Sequence, residues 1–262
     1  MKARANGIEI GYDAEGHGPW LVLCHSLGLD RSMWFQQVPV FARSHRVLAW
    51  DARGHGETTS TPGPYDFDLM ARDLAALLDT LRVDRVAVLG LSMGGNIAMA
   101  FASTFQDRVS ALILSDTIAS YDPDARRGWR ERIAAVKRDG VASLAPIQAE
   151  RWFTDGFRAS HPEVVERILN LLRHTDQQGY IAVMEALADL NLLPRLSSVR
   201  CPTLVIVGDE DPTTPPSAAE QIHQAIQGSK LVVLEHARHL SPIEQPEAFS
   251  RAVLEFLAEV GG

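Results

Sequence analysis

A chain of 262 residues that is 46% hydrophobic and 22% charged carries enough apolar material to bury a sizeable core in one compact unit. Its formal net charge of -8, with no cluster of Lys and Arg, excludes the footprint that nucleic-acid binding needs to neutralise phosphates. No apolar run approaches the ~18 residues that a spanning helix requires, which excludes a helical membrane anchor.

In chain order, Met1-Lys2-Ala3-Arg4-Ala5-Asn6-Gly7 leads into alternating Ile8-Glu9-Ile10. That is not the long apolar segment of an export signal, so a cytoplasmic protein is expected. Cys24 and Cys201 each stand beside an apolar run and read as two small buried hydrophobes, not as a disulfide. Short runs rich in Val, Ile and Leu recur at Leu21-Cys24, Val47-Trp50, Val86-Leu89, Ala111-Leu114, Leu204-Val207 and Leu231-Leu234. They are apolar at successive positions, which predicts parallel strands covered on both faces. Helical spacing separates them at Asp68-Leu81, with Leu69, Leu74, Leu77, Leu78 and Leu81 on one stripe, at Met93-Phe105 and at Pro246-Val260. Alternating strands and helices give an α/β class, with a mostly parallel sheet flanked by helices.

The alternation lapses after Leu114. Helical patterns over Asp124-Arg138, Val141-Arg151, Pro162-Leu172 and Gln178-Leu190, punctuated by Gly140, Pro146, Gly156 and Gly179, predict a helical cap at 119–194. The core is then expected at 1–118 and 195–262, with the cap closing over the carboxyl ends of the strands.

The chemistry is clearest at Gly90-Leu91-Ser92-Met93-Gly94-Gly95, which follows the run Val86-Ala87-Val88-Leu89 and opens a helical pattern. Strand, sharp turn and helix are the context of a nucleophile elbow, in which flanking glycines relieve crowding and the Ser hydroxyl projects above the sheet. Ser92 is thus the expected nucleophile, and the Met93 N–H at the positive end of the helix is an expected oxyanion donor. A serine hydroxyl needs a base, and the base needs an acid to fix its tautomer.

Chain order in this arrangement is nucleophile, acid, histidine, which sets aside His17, His25, His45 and His55 as bases. His161 and His174 fall in the expected cap, and His223 reads as a solvated helix residue. His236 and His239 both follow the last strand; His239 is preferred because Ala237-Arg238-His239-Leu240-Ser241-Pro242 runs into the terminal helix, with His236 as the alternative. The acid should follow the strand before it, where Gly208-Asp209-Glu210-Asp211-Pro212 offers three carboxylates. Asp211 is preferred for its reach and for the stiffening by Pro212, Pro215 and Pro216, with Asp209 as the alternative. The second oxyanion donor is expected at Leu27, in Cys24-His25-Ser26-Leu27-Gly28, where His25 orders the loop by hydrogen bonding. Asp51-Ala52-Arg53-Gly54-His55-Gly56 reads as a strand-end turn braced by an Asp–Arg pair.

Together these segments resemble the α/β-hydrolase fold superfamily. Within it the chain looks like the 3-oxoadipate enol-lactonases, through Ser26-Leu27-Gly28, Met33-Trp34, Arg151-Trp152-Phe153-Thr154, Phe157-Arg158, His161-Pro162 and His239-Leu240-Ser241 with Glu244-Gln245-Pro246. The resemblance implies hydrolysis of an enol-lactone in the β-ketoadipate branch of aromatic catabolism, with Ser92, Asp211 and His239 as triad. Those enzymes often carry an Arg soon after the strand ending at Leu114, where this chain has Ser120-Tyr121; with that role unfilled the substrate is a different lactone or ester, unless Arg130, Arg132 or Arg151 of the cap supplies a bidentate partner for its carboxylate, each of them otherwise reading as a solvated helix charge. Ser26, Trp129, Trp152 and Arg130 are the expected substrate contacts. No cofactor or metal is expected; the partner is a small lactone or ester, and an apolar cap edge would support a homo-oligomer. A carboxylesterase or cofactor-free perhydrolase would share the triad, and a non-catalytic ligand-binding module would share the fold.

Overall fold

In the computed structural model, which describes residues 1–261, eight strands form one sheet. They are β1 (Lys2–Ala5), β2 (Ile8–Gly16), β3 (Trp20–Cys24), β4 (Arg46–Trp50), β5 (Val86–Leu91), β6 (Val109–Ser115), β7 (Thr203–Gly208) and β8 (Lys230–Leu234), in the order β1-β2-β4-β3-β5-β6-β7-β8. From β4 to β8 every pairing is parallel, whereas β2 runs antiparallel to both β1 and β4.

The amino-terminal hairpin is an addition to the six expected strands. It is half exposed and alternates in burial, so it lacks the continuous apolar run of an inner strand. Its signal was Asn6-Gly7, both at positive φ (46° and 79°), the two-residue turn whose twist matches a hairpin. At the opposite edge β8 departs from expectation too. It pairs only with β7, and Val233 is 47% exposed, so this apolar run is not covered on both faces. The inner strands β5 and β7 are buried throughout.

The helices are α1 (Val38–Phe41), α2 (Phe67–Thr80), α3 (Met93–Thr104), α4 (Pro123–Asp139), α5 (Ala145–Trp152), α6 (Asp155–Ser160), α7 (Pro162–His174), α8 (Gln177–Ala188), α9 (Pro216–Ala225), α10 (Ser241–Glu244) and α11 (Pro246–Val260). Asp66 caps α2 by accepting from Leu69 N, and Asp122 caps α4 by accepting from Ala125 N, each satisfying a backbone donor that the helix leaves unpaired. Helices α4 to α8 lie between β6 and β7 in the chain. The stretch expected as one helix over Val141-Arg151 divides into a 3-10 turn at Val141–Leu144 and α5, with Pro146 in the first turn of α5, where its missing N–H costs nothing. Helix α6 was not anticipated; Thr154 starts it by accepting from Phe157 N. No helix among the described residues is long and apolar enough to cross a membrane.

One feature of this topology positions the site. The chain leaves β3 for β4 on one side and returns to β5 on the other, so β3 and β5 are neighbours with Cys24 opposite Gly90. The loops after β3 and β5 therefore diverge at the carboxyl edge and open a crevice there. Both cysteines carry free thiols: Cys24 is buried and accepts from Trp50 Nε1, and Cys201 is half-buried.

Candidate active site

Ser92 stands between β5 and α3 with φ 55° and ψ -116°, a conformation that L-residues avoid and that the surroundings must enforce. Its N–H donates to Ser115 O (2.9 Å), and its carbonyl accepts from Thr117 Oγ1 (2.8 Å) and Asn96 N (3.1 Å). The flanking glycines follow from close approach. A Cβ on Gly90 would lie 2.1 Å from Gly94 O, and one on Gly94 would lie 2.1 Å from Cys24 O.

His239 lies in the loop between β8 and α10, with Nε2 2.9 Å from Ser92 Oγ and Nδ1 2.8 Å from Asp211 Oδ2. Asp211 ends the tight turn after β7. Its Oδ1 accepts from Thr213 N (2.7 Å) and Thr214 N (3.1 Å), and its Oδ2 from Thr214 Oγ1 (2.6 Å). The alternatives stand apart from this line. Asp209 is exposed and accepts from Ala237 N, and His236 is an exposed turn residue at φ 57°.

Burial disfavours the charged forms of both groups, but their mutual interaction outweighs it. Asp211 is lowered because His239 and the donors from His239, Thr214 and Thr213 overcome desolvation. His239 is raised above its ordinary 6.5, because the attraction of Asp211 and their hydrogen bond overcome the same cost. The pair is tuned to take up a proton at His239.

The loop carrying Leu27 is held by two buried neutral histidines. Ala52 N donates to His25 Nε2 (2.9 Å), so the His25 proton sits on Nδ1, facing Ser26 O at 2.8 Å. Likewise Gly28 N donates to His55 Nε2 (3.1 Å), and His55 Nδ1 faces Arg53 O. Burial lowers His25, and burial together with the repulsion that a second proton on the His25–His55 pair would meet pushes His55 down to about 3. Among the described residues the N–H groups of Leu27 and Met93 take no backbone acceptor outside helices and strands; Leu27 lines the same cavity as Ser92, and Met93 follows Ser92 as the first residue of α3.

The expected Asp51–Arg53 pair does not form. Arg53 grips Asp73 of α2 with both Nε (2.8 Å) and Nη2 (2.6 Å), while Asp51 pairs with Arg31 and accepts from Arg31 N and Glu57 N.

Ser26, Leu27, Ser92, His239, Trp129 and Trp152 all line one narrow cavity, joined by Tyr121, Arg132, Gln148, Leu187 and Thr214. Arg130 does not: it is exposed on the outer face of α4. Two residues on, Arg132 turns inward instead, its guanidinium 4.7 Å from the Trp129 ring centre, and burial followed by repulsion from Arg151 lowers its pKa. Among the described residues no carboxylate forms an ion pair with it, and its charged neighbour is Arg151. The helical phase of Trp129 and Arg132, three apart, was the available signal for this pairing. Asp116 was missed altogether. It is fully buried after β6 and accepts from Ser115 Oγ, Ser241 Oγ and Gly208 N.

Residues 19–246 match the family model described as the alpha/beta hydrolase fold. The chain belongs to the α/β-hydrolase family. It is 36% identical to 3-oxoadipate enol-lactonase 2 of Acinetobacter baylyi over 95% of this chain and 93% of that protein. Among solved structures it superposes on the enol-lactonase from Burkholderia xenovorans with a TM-score of 0.94 at 36% identity, covering 98% of this chain and 100% of that one. It also superposes on a thermophilic esterase from Thermogutta terrifontis, with a TM-score of 0.93 at 35% identity, covering 99% and 98%. As an α/β hydrolase with lactonase and esterase relatives, the protein has a hydrolytic role.

Proposed function

We propose that this protein hydrolyses a small carboxylate-bearing lactone or ester, with 3-oxoadipate enol-lactone as the leading substrate, through Ser92, His239 and Asp211. The observation that carries the reading is the unbroken relay from Ser92 Oγ through the His239 ring to Asp211, at 2.9 and 2.8 Å. His239 takes the proton of Ser92 as Oγ bonds to the acyl carbon, and Asp211 supports the imidazolium. The N–H groups of Leu27 and Met93 receive the developing oxyanion. Collapse breaks the acyl–oxygen bond, and His239 returns its proton to the leaving oxygen. Water then adds to the acyl-enzyme by the same route, with its proton passing through His239 to Ser92 and its hydroxyl remaining on the acid product.

Arg132 supports the anionic substrate. An inward guanidinium held over Trp129 beside Arg151, with no acidic partner among the described residues, is matched by a carboxylate on the ligand. The enol-lactone of the relatives named above bears such a group. Wild-type protein should be labelled at Ser92 by a fluorophosphonate, and its kcat/KM should favour 3-oxoadipate enol-lactone over neutral aryl esters by on the order of a hundredfold. A well-folded protein that resists labelling would remove the hydrolase mechanism; labelling with a preference for neutral esters would remove only the lactone.

A further inference from the structure

The turn between α5 and α6 and the segment that carries His239 are stitched together. Glu244, the last residue of α10, is buried. Its Oε1 accepts from Thr154 N and Thr154 Oγ1, both at 2.7 Å, and its Oε2 accepts from Arg238 N at 2.6 Å. Arg238 returns the connection by donating from Nη1 to the carbonyls of Glu150 and Phe153. Leu240 N donates to Trp152 O at 3.1 Å. His239 sits between Arg238 and Leu240, and the Trp152 side chain lines the cavity over Ser92.

We propose that Glu244 is a positioning residue that fastens the Trp152 wall of the cavity to the loop of His239, so that base and wall hold one geometry. The proposal rests on the reading of Ser92 and His239 as nucleophile and base. A carboxylate is suited to this place because it accepts on both oxygens. A carboxamide of the same shape would turn an NH2 toward either Arg238 N or the Thr154 donors, and donor would face donor in a site closed to water. A buried carboxylate is costly unless hydrogen-bonded, and the three donors on Glu244 come from the two segments that it joins. Arg238 has its guanidinium on carbonyls and its N–H on Glu244, so both directions of the stitch pass the residue next to His239.

The test uses Glu244→Gln and Thr154→Val, with exposed Glu247→Gln as the control. Fluorophosphonate titration counts the active sites in each preparation, and kcat/KM per titrated site is then measured for p-nitrophenyl acetate and p-nitrophenyl hexanoate. Glu244→Gln should lower the acetate value at least tenfold per site, and the hexanoate-to-acetate ratio should rise at least threefold as the Trp152 wall retreats. Thr154→Val should shift both in the same direction by a smaller factor, and Glu247→Gln should match wild type. A residue that serves only to hold the fold would reduce the number of titrated sites and leave both per-site values alone. That outcome in the two variants overturns the proposal, and if Glu244→Gln does not fold, Thr154→Val decides alone. Failure of wild type to be labelled at Ser92 would instead strike the underlying mechanism.

Discussion

His239 Nε2 lies 2.9 Å from Ser92 Oγ, although 147 positions separate the two residues in the chain. If this contact is the proton path, Ser92→Ala and His239→Ala should each lower kcat by about 10⁴-fold or more, and Asp211→Asn by about 10⁴-fold through loss of the correct tautomer. The double variant Ser92→Ala/His239→Ala should be hardly worse than either single change, since the residues act as a unit. Steady-state kinetics on an activated ester would check this, and additive losses would count against a relay.

The pH profile of kcat/KM should report the same histidine. Asp211 raises His239 above 6.5, and only the neutral imidazole can accept the Ser92 proton, so activity should fall as pH drops through a midpoint above 6.5. In Asp211→Asn the residual activity should titrate with a lower midpoint. An unshifted acid limb in that variant would show that another group sets it.

Arg132→Met keeps the stem against Trp129 and removes the charge. For a substrate bearing a carboxylate, kcat/KM should fall on the order of a hundredfold, corresponding to about 2–3 kcal/mol for a charge-assisted contact. Neutral aryl esters should change by less than about threefold. Arg130→Met, on the exposed side of α4, should be near wild type with both.

The strained Ser92 backbone should be visible in stability. Ser92→Gly relieves a residue at φ 55° and ψ -116°, and thermal or denaturant unfolding should show a gain of about 1 kcal/mol, with activity lost. A destabilised Ser92→Gly would mean that the elbow is not strained.

Acid should weaken the histidine brace behind Leu27. His55 is held neutral down to about 3, against 6.5 when unfolded. A group lowered in the folded state binds fewer protons there, so its contribution is lost as pH falls below 6.5, by up to about 1.4 kcal/mol per pH unit. Asp116, raised to about 7 by burial and by Asp211, works in the opposite direction over part of that range, so the effect is read as a difference. The stability gap between wild type and His55→Gln, measured by denaturant titration, should narrow as pH falls from 6.5 toward 4. A constant gap would count against a neutral buried His55.

Much of this protein is legible in its sequence because the signals are local. The inner strands announce themselves by unbroken apolar runs, and Gly90-Leu91-Ser92-Met93-Gly94 by its glycine spacing between a strand and a helix pattern; the structure adds why the glycines are needed, since neither position has room for a Cβ. Helices α2, α3 and α11 follow from their spacing. The edges are harder: β1 and β2 alternate in burial and lack the apolar run of an inner strand, whereas β8 carries that run and is a strand but is not covered on both faces. Residue types and chain order suffice to choose Ser92, and they narrow the acid and base to Asp211 or Asp209 and to His239 or His236. Which member of each pair joins the line to Ser92 depends on the path of the loops after β7 and β8, and that path is set by contacts from elsewhere in the chain, such as Asp209 accepting from Ala237 N and Leu240 N donating to Trp152 O. The same holds for charge: Asp51 and Arg53 are neighbours in sequence yet pair with Arg31 and Asp73. Arg132, not Arg130, reaches the cavity because the rotation of α4 against the core, fixed only by packing, turns one inward and leaves the other to solvent.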